Sequence, residues 1–422
     1  MTEARDEASV ADKGEAWPSQ RFSWRVFALA AGPGLVAMFA DTDAGSVITI
    51  AQSGAQWGYR LLLPNLMFVP VMFIAQELAM RLGLGARKGA LELVRLRYGK
   101  LPAYALLAAI AASCFGALIS ELSGLAGAGQ AVGLPIGATM ILAVGGLLAM
   151  VITGSYRSVE RVALFLGLFE AAFLIMAIRA SPGVAAVAAE AGRMPLGNAN
   201  YLYLLAANLG TSVIPWALLY QQSASVDKGL SLGHVKAARV ETLTGVIFCQ
   251  IITSALLIAA GATLAGSGPL ETVGQIETAF TATLGPAFGH IVFILGLAGS
   301  ALTAAIVVCL TLAWGVGETF GVGRSLSHSP VEAPWFYGAI AVLLAGAGAL
   351  VASGANLIRL SVAAGVVNAL LLPLVLALFY ALARTELLEP LRLRGAYAAL
   401  VAVVFTIVGA VGLYAGIVGA LG

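Results

Sequence analysis

Long apolar stretches, separated by short polar or Gly- and Pro-rich breaks, dominate the chain after residue 26. A helix of roughly 20 apolar residues crosses the hydrocarbon core of a bilayer. Eleven stretches are predicted to be membrane spans, and they lie near 27–53, 61–83, 102–131, 136–155, 162–180, 201–224, 242–264, 286–317, 335–352, 357–383 and 395–419. The pattern therefore predicts an all-α membrane protein with eleven transmembrane helices.

Charged residues are scarce along the whole chain. Asp, Glu, Lys and Arg make up only 10% of its 422 residues, and the mean hydropathy is +0.94, whereas soluble proteins carry about 25% charged residues. This composition excludes a soluble multidomain enzyme, a disordered chain, a nucleic-acid-binding protein and a disulfide-rich secreted protein. We expect the lipid bilayer to surround the chain, and the sequence is compatible with a monomer.

The few basic residues indicate how the spans are oriented. If the N-terminus is cytoplasmic, all but four of the 23 Lys and Arg residues fall in the N-terminal tail, in cytoplasmic loops or at span ends bordering them. Because cytoplasmic loops are enriched in Lys and Arg, we expect this orientation, with the C-terminus outside after eleven spans. Residues 1–24 are too charged for a signal peptide and are predicted to form a disordered cytoplasmic tail.

Span 1 carries two acids in its middle, Asp41 and Asp43, followed by Gly45 and Ser46. Ionisable groups inside membrane spans are costly, so each one suggests a function. Glycine and short polar side chains favour local unwinding of the helix, which is tolerated only where the backbone faces protein or a water-filled cavity. The simpler alternative is a pair of acids hydrogen-bonded within the bundle, without a functional role.

Span 6 carries a second interruption at Pro215. Proline has no N–H, so the carbonyl of Thr211 is left without its helical hydrogen bond. Span 1 lies five spans before span 6, and interrupted helices at matching positions of two halves are typical of inverted-repeat transporters. We therefore predict a transporter core over 25–385, with repeats of about 25–185 and 198–385, and an eleventh helix over 390–422.

The side chains around the two interruptions supply mainly oxygen. Carboxylates, a hydroxyl and free carbonyls suit a hard divalent cation such as Mg²⁺, Ca²⁺ or Mn²⁺. Neither span contains Cys or His at its interruption, and the three cysteines of the chain, Cys114, Cys249 and Cys309, have no spacing that suggests a metal cluster or a disulfide. A Na⁺ ion together with an organic substrate would use similar groups, so the chemistry leaves both alternatives open.

Several motifs in order resemble the NRAMP divalent-metal transporters. The family's Asp-Pro-Gly-Asn of span 1 and its later Gly-Tyr-x-Leu-Leu are similar to Asp43-Ala44-Gly45-Ser46 and to residues 58–62. Further similar segments are FIAQELAMRLGL at 73–84, residues 154–161 after span 4, and GLAGSALT at 296–303. The resemblance covers nearly the whole chain after residue 28. It implies a LeuT-like 5+5 inverted repeat with helices 1 and 6 interrupted.

The resemblance also implies a metal site at the two interruptions. Asp43 would be the main charged ligand, and Asp41 would add negative charge. Other ligands would be Ser46, the carbonyls of Ala44 and Thr211, and Asn368 in span 10, and the cavity would be lined by Gly45, Ile214, Pro215, Trp216 and Gln221. The family's span-6 Met-Pro-His is Ile214-Pro215-Trp216 in this chain, so the thioether that favours transition metals is missing.

Proton coupling is expected to be weak or absent. The family's span-3 acids align with Ala117 and Ser120, one residue away from Glu121, and its span-6 His is replaced by Trp216. Glu121 and Glu170 are the intramembrane acids that could carry a proton or line a vestibule. This combination looks like the NRAMP-related magnesium transporters, which keep the scaffold, lose the thioether and move hydrated Mg²⁺ without proton symport.

We therefore predict a multi-pass inner-membrane transporter of Mg²⁺ or Mn²⁺ that works by alternating access. One alternative is a sodium- or proton-coupled symporter of a small organic solute on the same fold, and another is a proton-coupled Mn²⁺/Fe²⁺ transporter. A receptor with a similar membrane domain is a further alternative, which the lack of a sizeable soluble domain disfavours. No nucleophile–base set, P-loop or cofactor motif is present, so neither an enzyme nor a bound cofactor is expected.

Overall fold

The computed structural model describes residues 32–153, 156–322, 329–389 and 391–421, without the side chains of 153–159. The predicted tail, 1–24, and part of the motif at 154–161 lie outside the described residues. Helices make up the described chain, with bounds Pro33–Asp41, Ala44–Trp57, Leu62–Ala86, Ala90–Tyr98, Lys100–Ala131, Ile136–Thr153, Tyr156–Gly167, Leu168–Ala171, Ala172–Ala180, Val184–Ala191, Ala199–Ser212, Pro215–Asp227, Leu232–His234, Val235–Thr263, Val273–Leu284, Pro286–Phe320, Pro334–Ala352, Leu357–Thr385 and Gly395–Leu421.

The long helices agree with the predicted spans. Among the described residues, ten helices are long and apolar enough to cross a membrane, and the shorter apolar helix Ile136–Ile152 lies at the position of span 4. The largest difference is at span 7, whose helix begins at Val235 rather than near residue 242. Span 1 differs less and ends at Trp57 rather than near residue 53. Gly58 ends it by adopting a left-handed conformation (φ 57°) and donating its N–H to the carbonyl of Gly54 at 2.9 Å, a conformation that glycine adopts without steric cost.

Both predicted interruptions are present. Span 1 consists of helix 1a (Pro33–Asp41) and helix 1b (Ala44–Trp57), and span 6 consists of helix 6a (Ala199–Ser212) and helix 6b (Pro215–Asp227). These two broken spans are the most deeply buried of the bundle, whereas the outermost spans expose one side. A break in the backbone is therefore surrounded by protein, as its unpaired polar groups require.

Small residues bring the helices around the breaks close together. A Cβ atom on Gly210 of helix 6a would lie 1.9 Å from the carbonyl oxygen of Gly365 in span 10, and a Cβ on Gly124 of span 3 would lie 2.4 Å from the Cβ of Ala44. Such contacts are typical of membrane helices that pack through glycine and alanine. They hold spans 3 and 10 directly against the two interruptions.

Span 5 contains a break that the sequence did not predict. Its α-helical turns give way to a 3₁₀ turn over Leu168–Ala171, which contains the fully buried Glu170. Short 3₁₀ segments inside a helix often mark functional or strained positions. This turn faces the interruption of span 1.

Candidate metal site

Asp43 lies directly before helix 1b and caps its N-terminus. Its backbone is extended (ψ 173°), and its Oδ1 accepts a hydrogen bond from the N–H of Ser46 at 2.5 Å. Carboxylates are favoured at helix N-termini by the free N–H groups and by the helix dipole. The cap fixes the direction of the carboxylate, so a negative charge is held at the interruption of span 1.

The hydroxyl of Ser46 connects the two broken spans. It donates to the carbonyl of Asp41 at 2.9 Å and lies 3.3 Å from the carbonyl of Thr211. The second carbonyl is free because Pro215, four residues later, has no N–H to offer it. Asp43, Ser46 and two backbone carbonyls thus bring several oxygen atoms together at one point.

Ala44 occupies a different position from the one expected of a carbonyl ligand. It is the first residue of helix 1b, so its carbonyl is directed along that helix and its N–H faces the interruption. The carbonyl that faces Ser46 belongs to Asp41 instead. The expectation for Ala44 therefore needs correcting, since a residue at the start of a helix presents N–H and not C=O to the break.

Glu121 of span 3 reaches the same helix terminus. Its Oε2 accepts from the N–H of Ala44 at 3.0 Å, and its side chain also faces Asp43 and Gly45. Its other oxygen has no hydrogen-bond partner among the described residues. Two carboxylates, from Asp43 and Glu121, therefore share one helix N-terminus.

Gly45 allows span 3 to approach the site. A Cβ atom there would lie 3.0 Å from the Cβ of Ser120 and 3.3 Å from Oδ1 of Asp43. Ser120 aligns with one of the acids of the resembled family, so the structure places that position beside Asp43. The hydroxyl of Ser120 is turned to the carbonyl of Gly116 at 3.3 Å.

Asn368 lies close to the second interruption but is bound elsewhere. Its Oδ1 accepts from the hydroxyl of Ser113 in span 3 at 2.6 Å. The neighbouring span-10 residue Gly365 approaches Thr211 so closely that a Cβ there would lie 3.1 Å from Cγ2 of Thr211. Asn368 thus ties spans 3 and 10 together beside the oxygen cluster.

The three residues at the family's Met-Pro-His position supply apolar surface. Ile214 is the extended residue before helix 6b, Pro215 is its first residue, and Trp216 follows; all three are buried. The Nε1 of Trp216 has no hydrogen-bond partner among the described residues. Met38 provides no thioether here either, because it packs against Gly245 of span 7.

Gln221, the last predicted cavity residue, lies away from Asp43. Its Nε2 donates to the hydroxyl of Thr242 in span 7 at 2.7 Å, and it packs against Gly34 near the start of helix 1a. We call the contacts made around Gly32, Gly34 and Lys228 the closure at the helix 1a end of the bundle. The structure places Gln221 in this closure.

Two charged groups strengthen this closure. Oε1 of Glu241 in span 7 accepts from the N–H groups of Gly32 and Leu35 at 2.5 and 3.0 Å, and so caps helix 1a. Lys228, just after helix 6b, pairs with Glu160 at the start of span 5 at 2.8 Å. Both interactions hold broken helices against their neighbours and close this end of the site.

Replacing Lys228 by alanine is expected to loosen helix 1a. A hydrogen bond to a charged group contributes about 1.5–3 kcal/mol, which corresponds to about a tenfold or larger gain in the opened state. Hydrogen exchange measured by mass spectrometry should show faster exchange over Pro33–Asp41. Arg359→Ala, which breaks the exposed pair of Arg359 with Glu271, is the control and should leave this exchange unchanged; equal rates in both variants would contradict the closure.

Asp41, Thr42 and Cys249 form a second polar group beside the oxygen cluster at Asp43. The Oδ2 of Asp41 accepts from Sγ of Cys249 in span 7 at 3.4 Å, and the Thr42 hydroxyl donates to the same sulfur at 3.3 Å. Glu170 of span 5 is fully buried close enough to this group to interact electrostatically with Asp41 and Asp43. Asp41 therefore contributes its carbonyl to the oxygen cluster around Asp43 and Ser46, and its carboxylate to the second group.

Sequence reasoning missed the residues that support these groups. Thr42 and Cys249 had no motif to mark them. Asn208 of helix 6a was also missed: its Nδ2 donates to the Ser53 hydroxyl in helix 1b at 2.7 Å, and its Oδ1 accepts from Asn65 of span 2 at 3.3 Å. An Asn within each of two apolar spans was the available signal, since polar side chains often bridge membrane helices.

The arrangement can bind a hard, positively charged ion. Its donors are carboxylate, hydroxyl and carbonyl oxygens, and neither Pro33–Trp57 nor Ala199–Asp227 contains a Lys, Arg or His. Within the described ranges, no three His, Cys, Asp or Glu side chains are grouped as metal ligands. A cation would therefore be held by one or two carboxylates, backbone oxygens and water, which is the way proteins usually bind Mg²⁺.

Comparison with known proteins gives a consistent result. The family model described as "Natural resistance-associated macrophage protein-like" (Nramp) matches residues 34–417. The divalent metal cation transporter MntH of Bradyrhizobium diazoefficiens is 25% identical over 311 residues, which are 70% of this chain and 69% of the relative. MntH of Verminephrobacter eiseniae is 26% identical over 365 residues, covering 82% and 79%.

Solved structures show the same fold. The manganese transporter of Eremococcus coleocola superposes with a TM-score of 0.74 at 16% identity, covering 96% of this chain and 90% of that one. Mhp1, a nucleobase-cation-symport-1 family transporter in a closed conformation, gives 0.57 at 14% identity, covering 93% and 91%. The predicted fold class is confirmed: a LeuT-like helical bundle of a multi-pass membrane protein, with helices 1 and 6 interrupted.

Proposed function

Because the chain belongs to the Nramp family, we propose that it is a membrane carrier that moves divalent metal cations by alternating access. The support is the oxygen cluster at the two interruptions, where Asp43, Ser46 and the carbonyls of Asp41 and Thr211 converge. Relatives named as divalent metal cation transporters agree with this assignment. Membership of this family also confirms that the chain is not an enzyme.

We propose Mg²⁺ or Mn²⁺ as the transported ion. The single observation that carries this choice is Ile214, which stands beside the oxygen cluster where the family has a thioether. An oxygen-only site selects hard cations, and Mg²⁺ in particular binds through few protein ligands while it keeps several waters. Asp43 would bind the ion, with Ser46, Thr211 and Asn368 around a partly hydrated shell.

We also propose that proton coupling is weak or absent. The family's proton-carrying positions hold Ala117, Ser120 and Trp216, none of which exchanges protons. The carboxylate of Glu121 accepts a hydrogen bond from the N–H of Ala44 at the N-terminus of helix 1b. It therefore has a structural role in holding span 3 against that helix.

The membrane arrangement completes the proposal. The distribution of Lys and Arg supports an inner-membrane protein with a cytoplasmic N-terminus and an external C-terminus. The transporter core would be 25–385, with repeats near 25–185 and 198–385, followed by an eleventh helix over 390–422. In this orientation the closure at the helix 1a end faces the cytoplasm.

Uptake into proteoliposomes tests the function. Vesicles containing the purified protein should accumulate Mg²⁺ or Mn²⁺ faster than protein-free vesicles. The rate of uptake should not depend on a pH gradient across the vesicle membrane. Uptake no faster than that of protein-free vesicles would refute divalent-metal transport. A thermal-shift screen of metal ions against amino acids and other small solutes separates the metal carrier from an organic-solute symporter.

Replacing Ile214 by methionine is expected to change ion selectivity. Methionine fits a similar volume and adds a soft sulfur donor, so preference should move toward Mn²⁺ and Cd²⁺ relative to Mg²⁺ by about tenfold, or 1.4 kcal/mol. Competition uptake assays measure the ratio. Ile214→Leu is the matched control, with similar volume and no sulfur, and the same selectivity in both variants would mean that residue 214 does not contact the ion.

A further inference from the structure

A groove lies between spans 10 and 11 on the outside of the helical bundle. Its volume is about 460 Å³, and its lining is apolar apart from Thr406 and the hydroxyl of Tyr380. The two helices touch where Gly409 packs against Pro373, since a Cβ atom on Gly409 would lie 3.3 Å from the Cβ and Cγ atoms of the proline. The lining residues Thr406 and Ala377 are exposed, so the groove opens outward, which in a multi-pass protein is toward the membrane.

The groove has the length of one leaflet of a bilayer. Its lining on span 11 runs from Ala402 to Leu413, a rise of about 17 Å at 1.5 Å per residue. The hydrocarbon core of a membrane is about 30 Å thick, so the acyl chains of one leaflet cover about 15 Å. A single extended acyl chain therefore matches the groove both in length and in polarity.

Arg384 lies at one end of this groove. Pro373, Ala377 and Tyr380 line the groove at the three- and four-residue spacing that places side chains on one helix face. Arg384 follows Tyr380 by four residues and therefore lies on the same face of span 10. Its guanidinium carbon is 5.8 Å from the centre of the Tyr380 ring, a distance typical of a cation–π contact. The aromatic ring that lines the groove thus also holds the positive charge next to it.

The charge of Arg384 is not balanced by an acid. Its side chain is exposed, and it forms no ion pair in the part of the chain that the structure describes. In the loop that follows, Glu386 already pairs with Arg97 at 3.7 Å. Glu389 already pairs with Arg394. Because Arg97 belongs to the short helix after span 2, this end of the groove is on the same side of the bundle as the start of helix 1a.

We propose that the groove and Arg384 form a binding site for one anionic phospholipid of the leaflet on the helix 1a side. One acyl chain fills the groove, and the phosphate accepts hydrogen bonds from the Arg384 guanidinium, whose planar set of N–H donors suits phosphate oxygens. Basic side chains beside grooves between membrane helices are well placed for such headgroups. The site lies apart from the oxygen cluster and does not depend on which ion is transported.

The same charge disfavours a second copy of the chain as the occupant of the groove. In a two-fold dimer through this face, both copies would bring Arg384 to the interface at the same depth in the membrane. Two arginines without acidic partners repel each other. An anionic headgroup instead supplies the negative charge that is missing beside Arg384, which is why we assign the groove to a lipid.

Native mass spectrometry of the purified full chain tests the headgroup contact. With identical acyl chains, the first phosphatidylglycerol should bind to the wild type about fivefold more tightly than the first phosphatidylcholine, which is the contribution of one basic side chain near an anionic lipid. Arg384→Gln should bring this ratio close to one, and Arg384→Lys should keep it. Arg161→Gln removes an exposed arginine at the start of span 5, at the same end of the bundle, and should also keep the ratio. A wild type without preference, or an unchanged ratio in Arg384→Gln, overturns the proposal.

A second pair of variants tests the acyl chain. Ala377→Phe fills the groove and should weaken the binding of both phospholipids. Leu374→Phe enlarges an exposed side chain of span 10 that does not line the groove, and it should leave both affinities unchanged. Equal affinities in these two variants overturn the assignment of the groove. So do displacement of the lipid by a tenfold excess of glycerol 3-phosphate, which has no tails, and a dimer that only Ala377→Phe dissociates while the lipid preference persists.

Thermal unfolding in detergent gives a readout that does not depend on mass spectrometry. Without added lipid, Arg384→Gln should melt at the wild-type temperature, because this side chain is exposed. Phosphatidylglycerol at about ten times the wild-type dissociation constant stabilises the folded protein by mass action, and the rise in melting temperature should be about half as large in Arg384→Gln, whose affinity is about fivefold lower. A rise of the same size in both proteins contradicts a lipid held by Arg384.

Discussion

Replacing Asp43 by asparagine will remove high-affinity ion binding and uptake while leaving the protein stable. Asparagine caps helix N-termini as well as aspartate, so helix 1b should remain in place. The charge is lost, however, and with it the only ionised ligand whose direction is fixed toward Ser46. We expect the dissociation constant for Mn²⁺ to rise about a hundredfold or more, which is ~2.8 kcal/mol, with uptake at the level of protein-free vesicles.

Asp43→Ala separates the two tasks of this residue. Alanine removes both charge and cap, so it should lose ion binding to the same degree and lower the stability by about 1 kcal/mol more than asparagine does. Isothermal titration measures the affinities, and thermal unfolding in detergent measures the stabilities. Uptake at the wild-type rate in Asp43→Asn would show that the metal site lies elsewhere in the bundle.

Replacing Gly210 by alanine will have the largest effect on stability. Inside a helix, alanine is normally better than glycine by roughly 0.5–1 kcal/mol. At this position the new methyl group would lie 1.9 Å from the carbonyl oxygen of Gly365 and 2.7 Å from the N atom of Ala369. These are backbone atoms that cannot rotate away, so helix 6a and span 10 must separate. Overpacking of this kind costs about 1–3 kcal/mol or more, and we expect a net loss of stability.

The separation will also reach the metal site, because Thr211 follows Gly210 directly and Asn368 precedes Ala369. Uptake should therefore fall together with the melting temperature. Gly145→Ala is the matched control: it lies within the exposed part of span 4, where an added Cβ meets nothing within 4 Å, and it should be neutral or slightly stabilising. Equal melting temperatures for the two variants would mean that spans 6 and 10 can move apart freely.

The sequence was sufficient to predict the fold because its strongest signals are local. Apolar runs defined the spans, and Asp43, Gly45 and Pro215 marked the two breaks through backbone chemistry that does not depend on distant contacts. The observed end of a span differed from the predicted one where a single residue determines it. Gly58 is an example, since its left-handed conformation ends helix 1b. The 3₁₀ turn at Glu170 was not predicted, since no glycine or proline within that turn marks it.

The site was less accessible to sequence reasoning, because its details depend on which atom of a residue faces the break. Asp41 was predicted as a ligand, yet its carbonyl and its carboxylate belong to different groups, and Cys249, which contacts that carboxylate, is 208 residues away. Ala44 was expected to offer its carbonyl to the break. Because it is the first residue of helix 1b, its N–H faces the break and its carbonyl points along the helix. Such facts follow from the geometry of a helix end and from packing between spans.

The residues at the family's proton-carrying positions, Ala117, Ser120 and Trp216, have an electrical consequence. The carrier's own side chains return to their places in every cycle, so transport of Mg²⁺ or Mn²⁺ without proton exchange, under the proposed function, carries net positive charge. A membrane voltage of 100 mV is worth about 2.3 kcal/mol per elementary charge, or about 4.6 kcal/mol for a divalent ion. This energy corresponds to accumulation by roughly a thousandfold or more. Membrane voltage alone is then sufficient to power uptake without a second ion gradient.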